Sequence, residues 1–383
     1  MIKLGGTSVG SVERLRTSLG IVEARAGEGP VVVVTSALAG VTDALVAAVT
    51  GATGGHLATA AFVRSLRERH LALLREVATG DEATLAESVL EERLAGLAGR
   101  LRSAGEKRPL SPGARDALLA TGERLAAPIL AAALGSRGVR AEAVDAVDLV
   151  RTDGSFGEAI VDFAATRRLV TTTLASLPVG VVPVVTGFLG ATEGGETTTL
   201  GRDGSDYTAA ILGWAVGADQ VEIWSDVDGV MSADPRLVPT AVKLPRLSWR
   251  EAATLAEHGA RVLHPRTLAP LEEARIPAVI ANARRPEIPG TRVAAEPGLS
   301  HGRGTAITSK VHAHEAEVVV LGAVGDTTAE RAAQALAAAG VSARGFAVPS
   351  SEGPPALRAV VAPAERDTAV RALHEAFAAV RPA

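Results

Sequence analysis

Short apolar runs alternate with longer amphipathic stretches along the first 300 residues. The runs are rich in Val and Ile and predict buried strands. They are Met1–Leu4, Val31–Val34, Val139–Val144, Val181–Val185, Val221–Trp224 and Pro277–Ala281. The predicted helices are Ser11–Ala26, Ala37–Thr50, Thr59–Ala104 and Ser111–Leu134, the last broken near Pro128. This alternation is typical of an α/β fold with a mostly parallel sheet and helices on both faces.

The pattern changes after His301-Gly302-Arg303-Gly304, which predicts a domain boundary there. We expect two domains, 1–305 and 310–383. The second shows the order strand, helix, strand, strand, helix, which indicates a small α+β module. Its predicted elements are Glu317–Leu321, Ala329–Ala339, Val341–Phe346, Ala356–Val361 and Asp367–Val380, with a turn-rich loop at Pro349–Pro355.

Composition narrows the function classes. The 383 residues include no cysteine, which excludes disulfides, thiol nucleophiles and cysteine-based zinc sites. The net charge is −4 and the basic residues are scattered, whereas a nucleic-acid-binding protein usually shows a basic stripe. Neither a signal peptide nor a membrane span is apparent in the apolar pattern, so we expect a cytoplasmic protein.

Four glycine-rich or polar turns each follow a predicted strand. They begin at Lys3, Thr35, Thr186 and Trp224. In an open parallel sheet, ligands bind beyond the carboxyl ends of the strands. We therefore expect these turns to converge on one site.

The first two turns carry the simplest candidate groups. Gly5 and Gly6 allow an anion to approach the backbone, and Lys3 supplies a charge suited to a phosphoryl oxygen. The alternative is an ordinary strand-to-helix turn capped by a serine. The hydroxyls of Ser36 and Thr42 either contact a small polar substrate or cap a helix. The sequence lacks both the P-loop and the dinucleotide-binding glycine motif.

The third turn ends in Arg202, Ser205 and Asp206, ahead of a helix predicted from about Tyr207. Arg202 offers a planar fork for a carboxylate or phosphate. Asp206 is either a helix cap or a carboxylate that handles a metal ion or a substrate ammonium group. In an apolar stretch, Glu123 either pairs with a nearby arginine, Arg124 or Arg115, or faces a substrate amine.

The fourth turn, Trp224–Arg236, is either a tight Asp-Gly turn or a nucleotide site with Arg236 facing phosphate. Its DxDG spacing lacks the distal glutamate of a calcium loop, so an EF-hand is rejected. His264, at the end of a predicted helix, fits a structural histidine better than a catalytic base.

Together these segments resemble the aspartokinase family of the amino acid kinase superfamily over roughly residues 1–305. The motifs occur in order: KLGGTSVGS, TSALAGVTD, GERLAAPI, TGFLGAT, TTTLGRDGSDYTAA, WSDVDGVMSADPR and GARVLHP. The resemblance implies an αβα sandwich. It also implies transfer of the γ-phosphoryl of ATP, carried with Mg²⁺, to the β-carboxylate of L-aspartate. No separate protein-held metal is implied.

The resemblance implies roles by position. Lys3 resembles the lysine that stabilises the transferring phosphoryl group, and Asp206 resembles the aspartate of the catalytic centre. Glu123 matches the residue facing the substrate ammonium and Arg202 the residue facing its α-carboxylate. The other substrate-contacting positions are Ser36, Thr42 and Ser205. The ATP-contacting positions are Lys3, Gly5, Gly6, Ser225, Asp226, Met231, Asp234, Arg236 and Arg261.

The chain departs from the family pattern at Leu4, Asp203, Met231 and Arg261, where the family usually has an aromatic residue, Gly, Tyr and Lys. The changes at Asp203, Met231 and Arg261 bear on nucleotide and substrate preference. Asp203 adds a negative charge beside the expected phosphate site, and Arg261 keeps the charge of lysine but not its geometry.

The C-terminal module resembles a single degenerate ACT domain, where family members typically carry two that bind lysine or threonine and mediate dimerisation. The segments Gly325-Asp326-Thr327-Thr328 and Val341-Ser342-Ala343-Arg344 differ from the usual effector-binding pattern. We therefore expect a homo-oligomer with weak or absent feedback inhibition. The alternatives are a kinase of another amino acid, such as glutamate or an aspartate analogue, and a non-catalytic sensor.

Overall fold

The structure is a computed structural model. It describes residues 1–50, 55–106, 110–260, 263–295, 298–299, 305–322, 327–347, 354 and 356–377. The chain forms two compact units, Met1–Asp226 with Ala283–Pro286, and Val227–Asn282 with Glu287–Ala383. The sequence-based boundary between 1–305 and 310–383 stays a prediction, because residues 301–304 lie outside the described part.

Within its described residues, the first unit has five strands in the order β3-β4-β2-β1-β7, and each neighbouring pair is parallel. Their bounds are β1 (Ile2–Leu4), β2 (Val33–Thr35), β3 (Ala141–Val144), β4 (Val182–Thr186) and β7 (Val221–Ser225). A short hairpin adds β5 (Leu189–Ala191) and β6 (Thr197–Thr199), which pair antiparallel. The predicted parallel α/β sheet is confirmed.

Nine helices surround these strands in the described part of this unit. They are α1 (Gly6–Val9), α2 (Val12–Glu28), α3 (Val41–Thr50), α4 (Gly55–Val77), α5 (Gly80–Glu106), α6 (Pro112–Leu119), α7 (Thr121–Gly135), α8 (Phe163–Ala175) and α9 (Gly204–Val216). The single long helix predicted at Thr59–Ala104 is wrong, because the chain leaves helical geometry at Ala78 and Thr79 and starts again as α5.

The break predicted near Pro128 is also wrong. Helix α7 runs through Pro128, and the break lies at Ala120. A proline leaves the carbonyl four residues earlier without its helical donor. Here that carbonyl belongs to Arg124, and the Arg93 guanidinium donates to it. A side chain from α5 thus replaces the missing backbone bond and keeps the helix continuous.

The stretch Pro112–Gly135 is long and apolar enough to span a bilayer by composition, the one such stretch among the residues described. It is nevertheless split into α6 and α7, and 89% of its most apolar window is buried inside the fold. Burial of this kind is typical of a core helix.

The second unit has two parts. The first holds β8 (Arg246–Ser248), α10 (Trp249–Glu257), α11 (Pro265–Glu273), β9 (Ala278–Asn282) and β10 (Thr291–Ala294), with β10 antiparallel to β9 and parallel to β8. The second, here called the C-terminal module, comprises β11 (Thr305–Val311), β12 (Ala316–Gly322), α12 (Thr328–Ala338), β13 (Arg344–Ala347), β14 (Ala356–Val361) and α13 (Arg366–Phe377).

The C-terminal module contains an antiparallel sheet in the order β11-β12-β14-β13. Alternate residues of adjacent strands face one apolar core, as the register Ile307↔Val320↔Leu357 shows. Helices α12 and α13 contribute Leu336 and Phe377 to that core. The predicted α+β character is confirmed, whereas most of the predicted loop Pro349–Pro355 and Gly325-Asp326 lie outside the described residues.

Candidate active site

The four turns of the first unit start at one level of its sheet. Leu4 pairs in register with Thr35 and with Trp224, and Thr35 pairs with Thr186. Each of these residues is the last or next-to-last of its strand. The four carboxyl ends therefore lie in one row, at the edge where parallel sheets bind ligands.

Hydrogen bonds continue between the turns after the strands end. The Gly5 N–H donates to the Trp224 carbonyl at 2.9 Å, and the Ser36 N–H donates to the Leu4 carbonyl at 3.1 Å. The Gly187 N–H donates to the Thr35 carbonyl at 2.8 Å. The turns thus form one hydrogen-bonded row.

Lys3 and Asp206 meet at this row. Lys3 lies on β1 and is buried, and Asp206 lies in the first turn of α9. The distance from Lys3 Nζ to Asp206 Oδ1 is 2.8 Å. The structure therefore brings together the two residues that the sequence predicts at the catalytic centre. They form a charged pair with little exposure, beside glycine-rich backbone.

Two glycines permit this close packing. A Cβ on Gly6 would lie 2.7 Å from the carbonyl oxygen of Ala37, and one on Gly187 would lie 2.6 Å from Cβ of Ser205. Both distances are far below a normal contact, so only glycine lets these turns touch each other and the start of α9. Helix α9 begins at Gly204 rather than at the predicted Tyr207.

Glu123 lies on α7 and is buried, with 3% of its surface exposed. Burial raises the pKa of its carboxyl to about 8, although the backbone N–H of Ala37 and the charge of Lys3 act in the opposite direction. Its Oε2 atom makes no hydrogen bond within the described part of the chain. Glu123 is therefore a carboxyl group held close to neutrality, with one oxygen available for a donor.

The neighbouring Arg124 forms its ion pair with a residue other than Glu123. Arg124 Nε lies 2.6 Å from Asp145 Oδ2, and its Nη2 donates to Thr197 Oγ1 at 3.3 Å. Neither Arg124 nor Arg115 forms an ion pair with Glu123 among the residues that the structure describes. Of the two interpretations left open by the sequence, pairing with a nearby arginine is thus not observed.

The remaining substrate-side residues lie on the same turns. Ser36 follows β2 and is half-buried, Thr42 is the second residue of α3, and Ser205 is the buried second residue of α9. Arg202 is exposed, and within the described chain it has neither an ion pair nor a hydrogen bond. Its guanidinium group is available to an anion from solution.

Asp203 has a left-handed backbone, with a φ of 54°. Glycine is the residue that adopts this conformation without strain, and Asp is one of the few others that tolerate it. Asp203 occupies the position before α9, but its side chain makes no capping hydrogen bond. The charge of Asp203 is exposed at the start of the helix that carries Asp206.

The predicted nucleotide-side residues fall in both units. Ser225 ends β7 and Asp226 is exposed in the first unit, whereas Met231, Asp234 and Arg236 belong to the second. Arg236 folds back on Asp234, with Nη2 at 2.6 Å from Oδ2. Arg261 lies outside the described residues. His264 caps α11, since its Nδ1 accepts the Arg266 N–H at 3.2 Å, and this supports its structural role.

Sequence reasoning missed Asp116. This buried carboxylate accepts the backbone N–H of Gly157 at 2.8 Å and of Thr199 at 2.7 Å. It thereby fixes the end of β6, from which the chain enters the Arg202 turn. The only sequence signal was an acidic residue in an apolar helix, and a residue 83 positions away supplies one donor.

Comparison with known proteins agrees with this geometry. Residues 1–282 match the model of the amino acid kinase family. Lysine-sensitive aspartokinase 3 of Escherichia coli is 36% identical over 76% of this chain and 63% of its own length. Chloroplastic aspartokinase 1 of Arabidopsis thaliana is 35% identical over 76% of this chain and 51% of its own length. The chain thus spans about half to two thirds of these relatives.

A solved structure matches most of the described fold. The crystal structure of E. coli aspartokinase III in complex with aspartate and ADP superposes with a TM-score of 0.83 and 25% identity, covering 98% of each chain. The family match spans well over half of this sequence, and it coincides with the parallel sheet and the row of turns. The chain belongs to the amino acid kinase family.

Proposed function

We propose that this chain transfers the γ-phosphoryl group of MgATP to the β-carboxylate of L-aspartate, giving ADP and 4-phospho-L-aspartate. The observation that carries the proposal is the Lys3–Asp206 pair, 2.8 Å apart, at the row of turns. A buried cation there suits a reaction whose main demand on the protein is neutralising charge on phosphoryl oxygens.

The reaction needs no covalent enzyme intermediate. A β-carboxylate oxygen of aspartate forms a bond to the γ-phosphorus while the bond to the β,γ-bridging oxygen breaks, and ADP leaves with the electron pair. Lys3 stabilises the charge on the transferring group, and Asp206 holds the Lys3 ammonium in place. The carboxylate nucleophile carries no proton, so no general base is required. Mg²⁺ enters as part of the nucleotide substrate.

Aspartate is oriented by groups of opposite charge. Arg202 binds its α-carboxylate through the planar guanidinium fork. Glu123 faces its ammonium group, and the arriving positive charge restores the ionised carboxylate that burial disfavours. Hydroxyl groups of the turns hydrogen-bond the substrate. These belong to Ser36, Thr42 and Ser205.

The nucleotide contacts that the family resemblance implies are Gly5 and Gly6 after β1 and a set of residues after β7. Arg236 faces phosphate, and Arg261 is a further nucleotide-contacting position implied by the resemblance. The remaining nucleotide residues are Ser225, Asp226, Met231 and Asp234. Support comes from the structure of E. coli aspartokinase III in complex with aspartate and ADP.

The C-terminal module is proposed to be an ACT-like domain through which two copies of the chain associate in the cytoplasm. Its antiparallel sheet with two helices supports that assignment. The product belongs to a pathway leading to aspartate-family amino acids such as lysine and threonine. Sedimentation of the purified chain tests association, and a monomer at all concentrations contradicts it.

The decisive assay measures ADP release with aspartate and traps the acyl phosphate with hydroxylamine. We expect ADP and aspartyl hydroxamate in equal amounts. A panel containing glutamate and aspartate analogues identifies the substrate, and turnover with glutamate alone favours a kinase of another amino acid. Binding of MgATP and aspartate without any hydroxamate contradicts the catalytic proposal and favours a sensor.

A further inference from the structure

The loop made of residues 231–236, here called the 231–236 loop, is built into the C-terminal module. Ala233, together with Val238 just beyond the loop, is buried in the same apolar core as Leu357, Leu373 and Phe377. All these residues belong to the second unit. A loop proposed to contact nucleotide therefore takes its shape from the packing of this module.

Ser232 is the polar anchor of the 231–236 loop. Its N–H donates to the Val242 carbonyl at 2.7 Å, and its Oγ accepts the Val242 N–H at 2.9 Å. The Ile307 N–H on β11 donates to the Ser232 carbonyl at 2.7 Å. Three backbone-linked bonds thus fix this residue, which is 3% exposed.

A fourth bond joins Ser232 to α13. The distance from Ser232 Oγ to His374 Nε2 is 3.0 Å, and His374 is 7% exposed. Burial lowers the pKa of His374, which favours a neutral imidazole at this position. A buried hydroxyl–imidazole bond is directional, so it defines where the serine lies better than apolar contacts do.

The residues held by this anchor include Asp234 and Arg236. Asp234 Oδ1 accepts the Arg236 N–H at 2.9 Å and its Nε at 3.0 Å. The Arg236 guanidinium also donates from Nη2 to Asp234 Oδ2 at 2.6 Å, and the side chain is 71% exposed, so Asp234 holds this charged group at the surface. A shift of Ser232 moves Asp234 and the guanidinium group that it binds, because only Ala233 separates Ser232 from Asp234.

We propose that His374 is a positioning residue for the nucleotide: through Ser232 it holds the 231–236 loop in the shape that binds ATP. The inference rests on the proposed function, in which this loop contacts the nucleotide. It makes nucleotide affinity depend on a side chain of the C-terminal module that itself touches no substrate.

The test compares His374→Leu, which removes the polar atom at similar volume, with His374→Gln, whose amide reaches a similar position. We expect His374→Leu to raise the KM for MgATP and the Kd for MgADP by about fivefold to tenfold, the size expected for losing a buried hydrogen bond. The kcat at saturating MgATP and the KM for aspartate stay within about twofold, because the loss affects nucleotide binding alone. His374→Gln restores most of the nucleotide affinity.

Ser232→Ala provides an independent variant that deletes a single oxygen, should His374→Leu fail to fold. It shows a selective loss at least as large, because it also removes the acceptor of the Val242 N–H. The double variant is no worse than Ser232→Ala alone, because the bond to His374 is already lost in that variant. His314→Gln, at an exposed histidine of the same module, is the matched control and leaves all constants unchanged.

Unchanged nucleotide constants in folded His374→Leu and Ser232→Ala overturn the inference, as does an equal loss in kcat and in both KM values. Calorimetry with MgADP separates this result from the fate of the proposed function. If the wild-type chain binds MgADP but phosphorylates no amino acid, the proposed function fails while the nucleotide constants still decide the role of His374.

Discussion

Lys3 Nζ lies 2.8 Å from Asp206 Oδ1, although one residue comes from the first strand and the other from the last helix of the same unit. The pair is largely shielded from solvent, with 10% and 15% of the two side chains exposed. An ion pair so placed is costly to break, because removing one partner leaves the other desolvated. Its position at the carboxyl edge of the sheet makes it the first target for mutation.

Lys3→Met is expected to lower kcat by about a hundredfold or more, because one preorganised charge at such a site lowers the activation free energy by about 3 kcal/mol. The loss of the ion pair lowers the free energy of unfolding by about 1–3 kcal/mol. Hydroxamate assays and urea denaturation measure the two effects. Lys310→Met, at an exposed lysine, is the control. Near-normal turnover in folded Lys3→Met contradicts the role of Lys3.

Glu123 makes stability depend on pH. Its pKa is about 4.5 in the unfolded chain and about 8 in the folded one. Between these values the folded state binds more protons, so the free energy of unfolding falls as pH rises. Glu123→Gln is expected to remove this component. In denaturation experiments at pH 5 to 8, the free energy of unfolding of the variant is therefore expected to rise relative to that of the wild-type chain as pH rises. Glu68→Gln, at an exposed glutamate, is the control.

The same carboxyl group is expected to link aspartate binding to proton release. At pH 7 it is mostly protonated, and an ammonium group placed beside it lowers its pKa. Aspartate binding is thus expected to release up to about one proton, which calorimetry in two buffers of different ionisation enthalpy detects. Glu123→Gln abolishes the release. Equal release in the variant means that Glu123 does not face the ammonium group.

Gly187→Ala tests the close packing of the turns. The new Cβ would lie 2.6 Å from Ser205 Cβ and 2.9 Å from its Cα, so the turn and the start of α9 must separate. We expect a loss of about 1–3 kcal/mol in stability, as for other overpacked sites, together with a large fall in kcat. Gly194→Ala is the matched control, because its nearest contact would be 3.7 Å away.

Asp203 offers a gain of function. Asp203→Asn keeps a side chain that tolerates the left-handed backbone but removes the negative charge beside the proposed phosphate site. The KM for MgATP is expected to fall by about fivefold at low salt, corresponding to about 1 kcal/mol between partly screened charges. Steady-state kinetics at two salt concentrations measure it, and an unchanged KM at low salt contradicts a role for this charge.

Regulation gives a further prediction. The segment Val341-Ser342-Ala343-Arg344 departs from the pattern of effector-binding ACT domains, so lysine and threonine at millimolar concentration are expected to leave activity unchanged. Initial rates with each amino acid alone and with both together provide the measurement. Strong inhibition by either one contradicts the prediction.

The row of turns was predictable because each strand is an apolar run in the sequence and each turn is a cluster of glycine and hydroxyl residues. Local signals of this kind did not extend to the short hairpin strands β5 and β6, which are rich in Gly and Thr and were not predicted. Nor could the sequence show that α7 survives Pro128, since the donor that satisfies Arg124 comes from Arg93 on another helix. The pairing of Arg124 with Asp145 likewise depends on tertiary packing.

Three hydrogen bonds fix the length of each turn. They join Gly5 to Trp224, Ser36 to Leu4 and Gly187 to Thr35. Insertion of a single amino acid into any of these turns would shift the register of its neighbours, whereas a change of side chain away from Gly6 and Gly187 would not. A library of single-codon insertions should therefore lose function at these loops, while the same library tolerates additions elsewhere on the surface. New substrate preferences in such a scaffold arise by replacement rather than by lengthening.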